Sequence, residues 1–436
     1  MRRHRSNSGR QREEGLIIIL AAVFLLFVVG AMAALSIDVV ALYAARSEAQ
    51  LAADGAALAG ARVLANSGIT SSPASAFPIA LSTDLAKDIA TQVARQNQVG
   101  GKALTAGEVT VTINDDSPQF NNPVVTVQVK RTDLPTFFAR IWGRKSITVA
   151  ASARAEAYNP EGLASGSFPV APLCVKPWLL PNIDPTQAGA TGSTIFNVAS
   201  GAITNPALIG QGWPNATPPT PNSSGLISQP YTAAPAPGAY YAGAVGLAAD
   251  DFPAPTQAMP RCSSSLVNSY QLAIAGCVPR PIACGPTATA SVNVDTVASS
   301  TRDADTESAV ECLIHYSSAA GDTDSIINSV SSPSPPFHFL AGNQNPITSA
   351  FGKQVVVSDS LVTVPVFDSS AGVAPTVTVI GFLQLFLNPN STVMPPPGNQ
   401  IPVTIVNMVG CGTNATGTPI YGNGSSAVAV RLITPP

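Results

Sequence analysis

Charge is scarce in this chain. Aspartate, glutamate, lysine and arginine make up 11% of its 436 residues, whereas about a quarter is usual for soluble domains. The formal net charge of −3 gives no basic field that would attract nucleic acid, so we expect no nucleic-acid partner. Hydrophobic residues reach 45%, which is enough to bury the cores of two or three domains.

The common motifs of catalysis are missing. Neither the GxSxG nucleophile signature nor the phosphate-binding GxxxxGK[ST] pattern occurs. Of the three histidines, His4 lies in the N-terminal tail, which leaves His315 and His338 for a catalytic triad. His338 stands among apolar residues in PPFHFL, which is typical of a packed core histidine. We therefore expect no enzyme, with no catalytic and no cofactor-binding residues.

Metal-binding patterns are also missing. No CxxC pair occurs, and the histidines stand in no zinc-ligand spacing. Asp303, Asp305 and Glu307 alternate as in a calcium loop, but Ser308 stands where the EF-hand pattern has glycine. A solvated acidic loop is favoured over a calcium site, and we predict no metal and no cofactor.

The cysteines are few and late in the chain. An even number, all beyond the N-terminal apolar segment, favours an oxidising compartment and up to three disulfides, with free buried thiols as the alternative. Six cysteines allow fifteen full pairings, so the sequence leaves the connectivity open. Cys312 and His315 could pair as nucleophile and base, but a structural disulfide at Cys312 is favoured. The cysteines are Cys174, Cys262, Cys277, Cys284, Cys312 and Cys411.

What the chain does have is a basic tail followed by a long apolar run. Five arginines lie in the first twelve residues. The 22 residues from 16 to 37 carry no charge and would form about 33 Å of helix at roughly 1.5 Å per residue. A hydrocarbon core is about 30 Å thick, so the run predicts a transmembrane helix bounded by Glu14 and Asp38.

The arginines should hold the tail in the cytoplasm by the positive-inside rule. The chain then passes once through the inner (cytoplasmic) membrane, and everything after Asp38 is periplasmic or extracellular. A cleaved signal peptide is the alternative, because Ala31, Met32 and Ala33 resemble a cleavage site. The apolar run and the helical character continue past this point, which favours an uncleaved anchor in the lipid bilayer.

The helix is expected to continue beyond the membrane. Residues 38–64 contain no proline, and Gly55 and Gly60 each cost a helix only about 1 kcal/mol. Small residues recur every four positions at Ala52, Ala56 and Gly60, which permits close approach of another element. We predict a long amphipathic helix packed on its own domain, with packing on a neighbouring subunit, including a second copy of this chain, as the alternative.

This stretch, AALSIDVVALYAARSEAQLAADGAALAGA, resembles the N-terminal region of TadG-like proteins of Tad/Flp pilus assembly systems. The resemblance covers about residues 13–62 and implies a single-pass envelope protein that accompanies a pilus secretion machine. The residues at family-like positions are Asp38, Tyr43, Arg46, Gln50, Ala53, Asp54, Ala56, Ala57, Leu58 and Ala59.

Two family features are missing from this sequence. Processed pilins carry a glutamate five residues after the cleaved glycine, but cleavage after Gly15 would place Leu20 there, so we do not expect a filament subunit. Many TadG-like proteins also carry a metal-binding Asp-x-Ser-x-Ser module. The nearest stretches, at Asp322 and Asp368, lack the pattern, so metal-dependent adhesion is not expected.

The next part predicts a small pilin-like α+β domain. Amphipathic periodicity indicates a helix over residues 81–97, and alternating apolar residues indicate strands over 109–113, 124–130 and 146–158. A short helix is expected to begin at Pro135, where proline is tolerated. The following aromatic cluster is expected in the core, with an exposed docking site as the alternative; it comprises Phe137, Phe138, Ile141 and Trp142.

The amino-acid composition changes in the remainder of the chain. Proline, glycine, serine and threonine dominate to about residue 260, a composition typical of loops and extended segments. Several short strand-like runs follow and predict a β-rich sandwich or barrel-like module. These runs are 355–357, 361–367, 377–386, 403–409 and 428–433.

The overall expectation is an α+β protein in five parts. We expect a membrane-anchored component of a Tad/Flp-type pilus assembly or secretion system that docks pilus-assembly or other envelope proteins. A surface adhesin is the main alternative, and a secreted hydrolase using His315 or His338 is a weaker one. The parts are a basic tail (1–12), transmembrane helix and extension (13–66), α+β domain (67–158), Pro/Gly/Ser-rich region (159–260) and β-rich module (261–436).

Overall fold

A computed structural model gives the fold of most of the chain. It describes residues 8–71, 79–114, 122–136, 138–143, 145–160, 168–185, 193–210, 212–213, 225–244, 266, 268–285, 291–294, 300–316, 321–327, 335–388, 400–411, 418–422 and 426–433.

Helices and strands are both abundant. The α-helices are α1 (Ser8–Ala65), α2 (Ile79–Gln96), α3 (Ser269–Ala275) and α4 (Ser300–Leu313). The strands are β1 (Gln98–Val99), β2 (Lys102–Ala103), β3 (Val109–Asn114), β4 (Val124–Pro135), β5 (Ser146–Tyr158), β6 (Val170–Ala171), β7 (Trp178–Pro181), β8 (Gly212–Trp213), β9 (Leu226–Ser228), β10 (Ala239–Ala244), β11 (Ser291–Val294), β12 (Ser325–Ile327), β13 (His338–Leu340), β14 (Gln354–Val355), β15 (Leu361–Phe367), β16 (Thr376–Leu387), β17 (Gln400–Ile401), β18 (Val403–Gly410), β19 (Ile420–Tyr421) and β20 (Ala429–Ile433).

The first helix joins the apolar segment to the folded body without a break. Among the described residues, α1 is the one helix long and apolar enough to cross a membrane, and its most apolar stretch makes no buried contact with the rest of the chain. From Ala45 onward its alanines become buried, so the second half packs on its own domain. The predicted long N-terminal helix is therefore confirmed.

The second half of α1 and α2 cover one face of an antiparallel sheet in the order β20-β5-β4-β3. On β4, Val125, Val127 and Val129 are fully buried while Gln128 and Lys130 are exposed. This alternation is expected of a sheet with one solvated face. The residues that predicted three strands do form them.

Two details of this sheet differ from the sequence prediction. Strand β4 extends through Pro135, so the expected short helix does not begin there; a 3₁₀ turn follows at Ala139–Trp142, closed by Gly143 with a φ of 85°. The C-terminal strand β20, expected in the β-rich module, pairs with β5 instead, from Ala429 opposite Tyr158 to Ile433 opposite Arg154. The apolar pattern of β20 indicates that the strand is buried, but it does not specify which strand it pairs with.

The larger sheet has nine strands and contains a closed circuit. Its main path is β17-β9-β10-β7-β15-β16-β18-β8, and β11 pairs with both β10 and β16. Strands β7, β10, β11, β16 and β15 thus hydrogen-bond in a ring. The sheet combines strands from both sides of residue 261, where the sequence suggested a boundary.

The acidic stretch expected as a loop is helical instead. Asp303, Asp305 and Glu307 lie on α4. The reason is that Ala309, Val310 and Leu313 recur at helical spacing and are buried in the core beneath the nine-stranded sheet.

Disulfides join segments that are distant in the chain. Cys174 pairs with Cys277, 103 residues away, and Cys284 pairs with Cys411, 127 residues away. Cys312 is also disulfide-bonded, to a cysteine outside the described residues. The described part of the chain contains no free cysteine, which confirms the prediction of disulfides over free thiols.

Candidate functional site

The first notable site lies where α1 would leave the membrane. Asp38 is only 4% exposed, although it is the first charged residue after the apolar run. Its Oδ2 accepts hydrogen bonds from the backbone N–H groups of Phe138, at 3.0 Å, and Ala139, at 2.7 Å. A carboxylate that accepts backbone N–H groups forms strong, charge-assisted hydrogen bonds. Asp38 therefore fixes the connection between β4 and β5 beside the end of the apolar run.

Further along α1, two side chains add polar contacts to the same domain. Glu48 accepts a hydrogen bond from the backbone N–H of Gly100 at 2.7 Å. Gln50 donates to the backbone carbonyl of Ser152 at 3.2 Å and to Asp54 at 2.8 Å. Together with Asp38 these contacts fix α1 in both rotation and height against the sheet.

One side of α1 remains uncovered in the described chain. Val40 is 67% exposed, Tyr43 71% and Leu51 68%. At 100° per residue these positions fall on one side of the helix, opposite the buried alanines. We call this surface the outer stripe; it comprises Val40, Tyr43, Ala44, Ser47 and Leu51, all of them exposed.

Two mainly apolar grooves flank the helix at this level. The first, of about 300 Å³, lies between α1 and the end of β4 near Asp38, Leu134 and Pro135. The second, of about 310 Å³, lies between α1 and the start of β5, and Tyr43 and Arg46 line it. Tyr43 and Arg46 are family-like positions that are exposed rather than buried.

The other end of α1 enters a buried polar network. Asn407 of β18 donates through Nδ2 to the carbonyl of Ala65 at 2.8 Å and also bonds Gln384 of β16. Gln384 in turn donates to Asn66 at 3.1 Å. Asn407 and Gln384 have no exposed surface. The network therefore connects the last turn of the membrane helix directly to the nine-stranded sheet.

Asn159, at the end of β5, extends this network. Its Nδ2 reaches the carbonyls of Thr70 and Met408 at 3.2 and 3.1 Å. Ser71 donates to the Met408 carbonyl at 2.9 Å, and the Met408 N–H donates back to Ser71 at 3.0 Å. Sequence reasoning missed this cluster, because single asparagine and serine residues in polar loops carry no pattern.

The residues considered for catalysis do not assemble into a nucleophile–base pair. Cys312 is in a disulfide, so it cannot serve as the nucleophile for His315. His315 instead lies 2.8 Å from Asp359, joining its Nε2 to Oδ2. His338 lies on β13 and is half-buried, and this burial lowers the pKa of its imidazole.

Two other charged groups are buried without having been predicted. Asp324 accepts hydrogen bonds from the Gly342 N–H, from Asn345 and, at 2.6 Å, from Ser358. Lys176 donates to the carbonyl of Gly276 at 2.7 Å, and burial lowers the pKa of its ammonium to about 8. Asp324 lies in the stretch that begins at Asp322 and lacks the Asp-x-Ser-x-Ser pattern, and its carboxylate fixes loops through these contacts. Within the described residues no three metal-binding side chains of histidine, cysteine, aspartate or glutamate cluster.

The aromatic cluster expected in the core is only partly within the described residues. Phe138 is half-buried. Phe137 lies outside the described residues, as do the side chains of Ile141 and Trp142.

Comparison with protein families gives one finding. Residues 15–63 match the family described as putative Flp pilus-assembly TadE/G-like, which confirms the resemblance read over residues 13–62. No curated protein and no solved structure matches the chain significantly. The N-terminal region thus indicates a pilus-related envelope function, and the long apolar helix fits a membrane-anchored protein.

Proposed function

We propose that this protein is a membrane-anchored envelope component of a Tad/Flp-type pilus assembly or secretion system that acts by anchoring and by docking other proteins. The observation that carries the proposal is that the matched segment, residues 15–63, coincides with the single helix α1. That helix runs from the apolar segment into the packed domain.

The proposed topology is a single pass through the inner membrane. The arginine-rich tail stays in the cytoplasm by the positive-inside rule, and the domains after Asp38 lie outside. The disulfides at Cys174, Cys284 and Cys312 support this placement, because disulfides persist in oxidising compartments.

The proposed mechanism is mechanical. Alanines of α1 pack closely on the sheet, Asp38 fixes the helix at its membrane end, and the network around Asn407 fixes it at the far end. A displacement of the outer domains would therefore be transmitted to the membrane helix with little bending between them. The pilin-like character of residues 67–158 is part of this proposal, supported by the helix-on-sheet arrangement.

The outer stripe is the proposed docking surface. Three large side chains, Val40, Tyr43 and Leu51, are each more than 60% exposed there, and the stripe continues the lipid-facing surface of the same helix. The proposed occupant is an apolar helix of another pilus-assembly or envelope protein that leaves the same membrane alongside α1. We assign no catalytic role to this chain; the disulfide at Cys312 supports that choice.

Deletion and complementation in the host cell test the proposal. Cells without the gene are expected to assemble few surface pili while keeping normal amounts of the cytosolic motor, and the full chain should restore piliation. Normal piliation in the deletion strain would contradict the proposal. If adhesion is lost while piliation stays normal, the adhesin interpretation is favoured instead.

A matched pair of substitutions tests docking by the outer stripe. Leu51→Lys places a charge on the stripe at a position that is 68% exposed, and Ile347→Lys does so at a 61% exposed position of the larger module. We expect Leu51→Lys to lower piliation several-fold and Ile347→Lys to leave it unchanged, with equal chain levels by immunoblot. Equal piliation in both strains would rule out the stripe as the docking surface.

A further inference from the structure

The described part of the connection between β4 and β5, residues 136, 138–143 and 145, lies level with the end of the apolar run. Asp38 is the residue directly after that run, and its carboxylate lies 2.7 Å from the N–H of Ala139. The 3₁₀ turn Ala139–Trp142 therefore begins within hydrogen-bond distance of the point where α1 would leave the hydrocarbon. We call these described residues, 136, 138–143 and 145, the interfacial turn.

The depth of the interfacial turn can be estimated from bilayer dimensions. A bilayer is about 40–45 Å thick with its headgroups and about 30 Å without them, so each headgroup layer is roughly 5–8 Å deep. If residues 16–37 span the hydrocarbon, the backbone beside Asp38 falls inside that layer. A polar backbone is tolerated there, because water and headgroups can accept its hydrogen bonds.

The charge of the interfacial turn fits that position. The sequence of residues 136–145, TFFARIWGRK, contains three basic residues and no acidic one. Arg140 and Lys145 are exposed, as is Arg46 on the neighbouring face of α1. The acidic side chains on the neighbouring parts of α1 and β4 are engaged: Asp38 accepts the two backbone N–H groups, Glu48 accepts the Gly100 N–H, and Asp133 pairs with Arg131 at 2.9 Å.

Basic residues next to aromatic ones are typical of segments at the membrane interface. Each lysine or arginine near an anionic lipid surface contributes about 1 kcal/mol of attraction. The interfacial turn supplies two exposed basic residues, Arg140 and Lys145, at the depth of the lipid phosphates.

We propose that the interfacial turn rests on the outer leaflet of the membrane that α1 crosses, with Arg140 and Lys145 binding phospholipid phosphates. The domain then contacts the bilayer at two points, the helix and the turn, which fixes its tilt. This inference rests on the proposed membrane anchor, because it requires residues 16–37 to span the hydrocarbon.

Site-specific photocrosslinking tests the contact. The full chain carries p-benzoylphenylalanine in place of Arg140, or in place of Lys353 as the control, and is reconstituted into vesicles containing phosphatidylglycerol. Lys353 is exposed. It lies three residues before Val356, whose carbonyl accepts a hydrogen bond from Asn66 just after the end of α1. That end of α1 is about 40 Å from Asp38 at roughly 1.5 Å per residue. We expect lipid adducts by mass spectrometry at least tenfold more often at position 140 than at 353.

A charge-reversed variant tests the role of the basic side chains. With the crosslinker in place of Ser146, which is exposed, the double change Arg140→Glu and Lys145→Glu should lower the adduct yield several-fold. Lys353→Glu should leave it unchanged. An unchanged yield in the double variant would overturn phosphate binding by these residues.

The two proposals fail in different ways. If the chain resists alkaline carbonate extraction but positions 140 and 353 give equal adduct yields, the interfacial turn does not touch lipid and this inference is overturned while the anchor stands. If carbonate extracts the chain from the vesicles, the anchor itself is wrong, and the inference falls with it.

Discussion

At the scale of single residues, Asp38 has two roles that the sequence shows only in part. Its charge marks the end of the apolar run, which can be read directly. Its burial and its two backbone N–H partners depend on a turn one hundred residues further along. The family-like positions Tyr43 and Arg46 are exposed, so their presence cannot be explained by packing inside this chain.

Replacing Asp38 should loosen the interfacial turn. Hydrogen bonds to charged groups contribute about 1.5–3 kcal/mol, so we expect Asp38→Ala to lower the free energy of unfolding by about 2–4 kcal/mol in urea titrations of the solubilised chain. Asp38→Asn keeps one acceptor oxygen and should lose about half as much. Trypsin should cut faster after Arg140 in the alanine variant and no faster after Lys353. Identical unfolding curves would contradict this role.

Lys176 should give the fold a distinct pH dependence. Its folded-state pKa is about 8, below the unfolded value of about 10.4. Between these values the unfolded chain holds a proton that the folded chain has released, so stability rises with pH through this window and is flat below it. The full gain is on the order of 3 kcal/mol.

The measurement compares wild type with Lys176→Met in thermal melts from pH 7 to 10. Wild type should gain stability relative to the variant as pH rises above about 8. Tyr240 and Tyr241 are present in both proteins, so any effect of their titration on stability cancels when the two proteins are compared at each pH. Parallel curves for the two proteins would contradict the inference.

At the scale of elements, α1 packs closely because its buried residues are small. Ala49, Ala52, Ala53 and Ala56 have no exposed surface, and the sheet and α2 approach the helix over them. The sequence indicated this face through its small-residue spacing. The alternative of packing on another subunit now applies only to the outer stripe.

Two glycines of α1 provide a matched test of this packing. A Cβ at Gly60 would lie 3.0 Å from Val125 Cγ1 and 3.3 Å from the Ala86 carbonyl oxygen, whereas at Gly55 the nearest atom, on Val93, is 4.0 Å away. Gly55→Ala should raise the free energy of unfolding by about 0.5–1 kcal/mol through helix propensity. At Gly60 strain should offset that gain, leaving Gly60→Ala less stable than Gly55→Ala by about 1–2 kcal/mol. Equal gains in chemical denaturation would show that α1 is loosely packed.

At the scale of the whole molecule, segments that are distant in sequence pair and pack with one another. Strand β20 pairs with β5 across more than 270 residues, supported by the ion pair of Arg431 with Glu156. The first hydrophobic core continues from the alanines of α1 to Phe367 and Phe382 of the nine-stranded sheet. The outer part of the chain therefore cannot be divided at residue 158 without removing an edge strand and opening a core.

The buried polar network around Asn407 should be among the most sensitive points of the fold. Asn407→Ala leaves the Ala65 carbonyl and Gln384 without their buried donor, and an unsatisfied buried polar group costs about 1–3 kcal/mol. With the cavity added, we expect a loss of about 2–4 kcal/mol in denaturant titrations. Asn388→Ala is the control, because Asn388 is partly buried and its side chain donates to Thr404 at a site away from the network; it should lose under about 1 kcal/mol. Similar losses would show that the network does not hold the end of α1 to the nine-stranded sheet.

The sequence by itself determined the elements whose signals are local. The apolar run, the alanine-rich helix, and the strands β3, β5, β15 and β18 all follow from the spacing of neighbouring side chains. The resemblance over residues 13–62 could also be recognised from the sequence, because it is a contiguous pattern. The stretch from 303 to 307 was predicted as a loop from its alternating acidic residues, but it is helical because of the apolar spacing that follows it.

Only the tertiary structure determined which distant segments pair and pack with one another. The pairing of β20 with β5, the disulfide partners and the N–H groups that donate to Asp38 all join residues more than fifty positions apart. The periodicity of a segment records that one of its faces is buried, because burial is a property of each side chain. The periodicity does not specify which distant surface covers that face. The partner surface is determined by the packing of the whole chain.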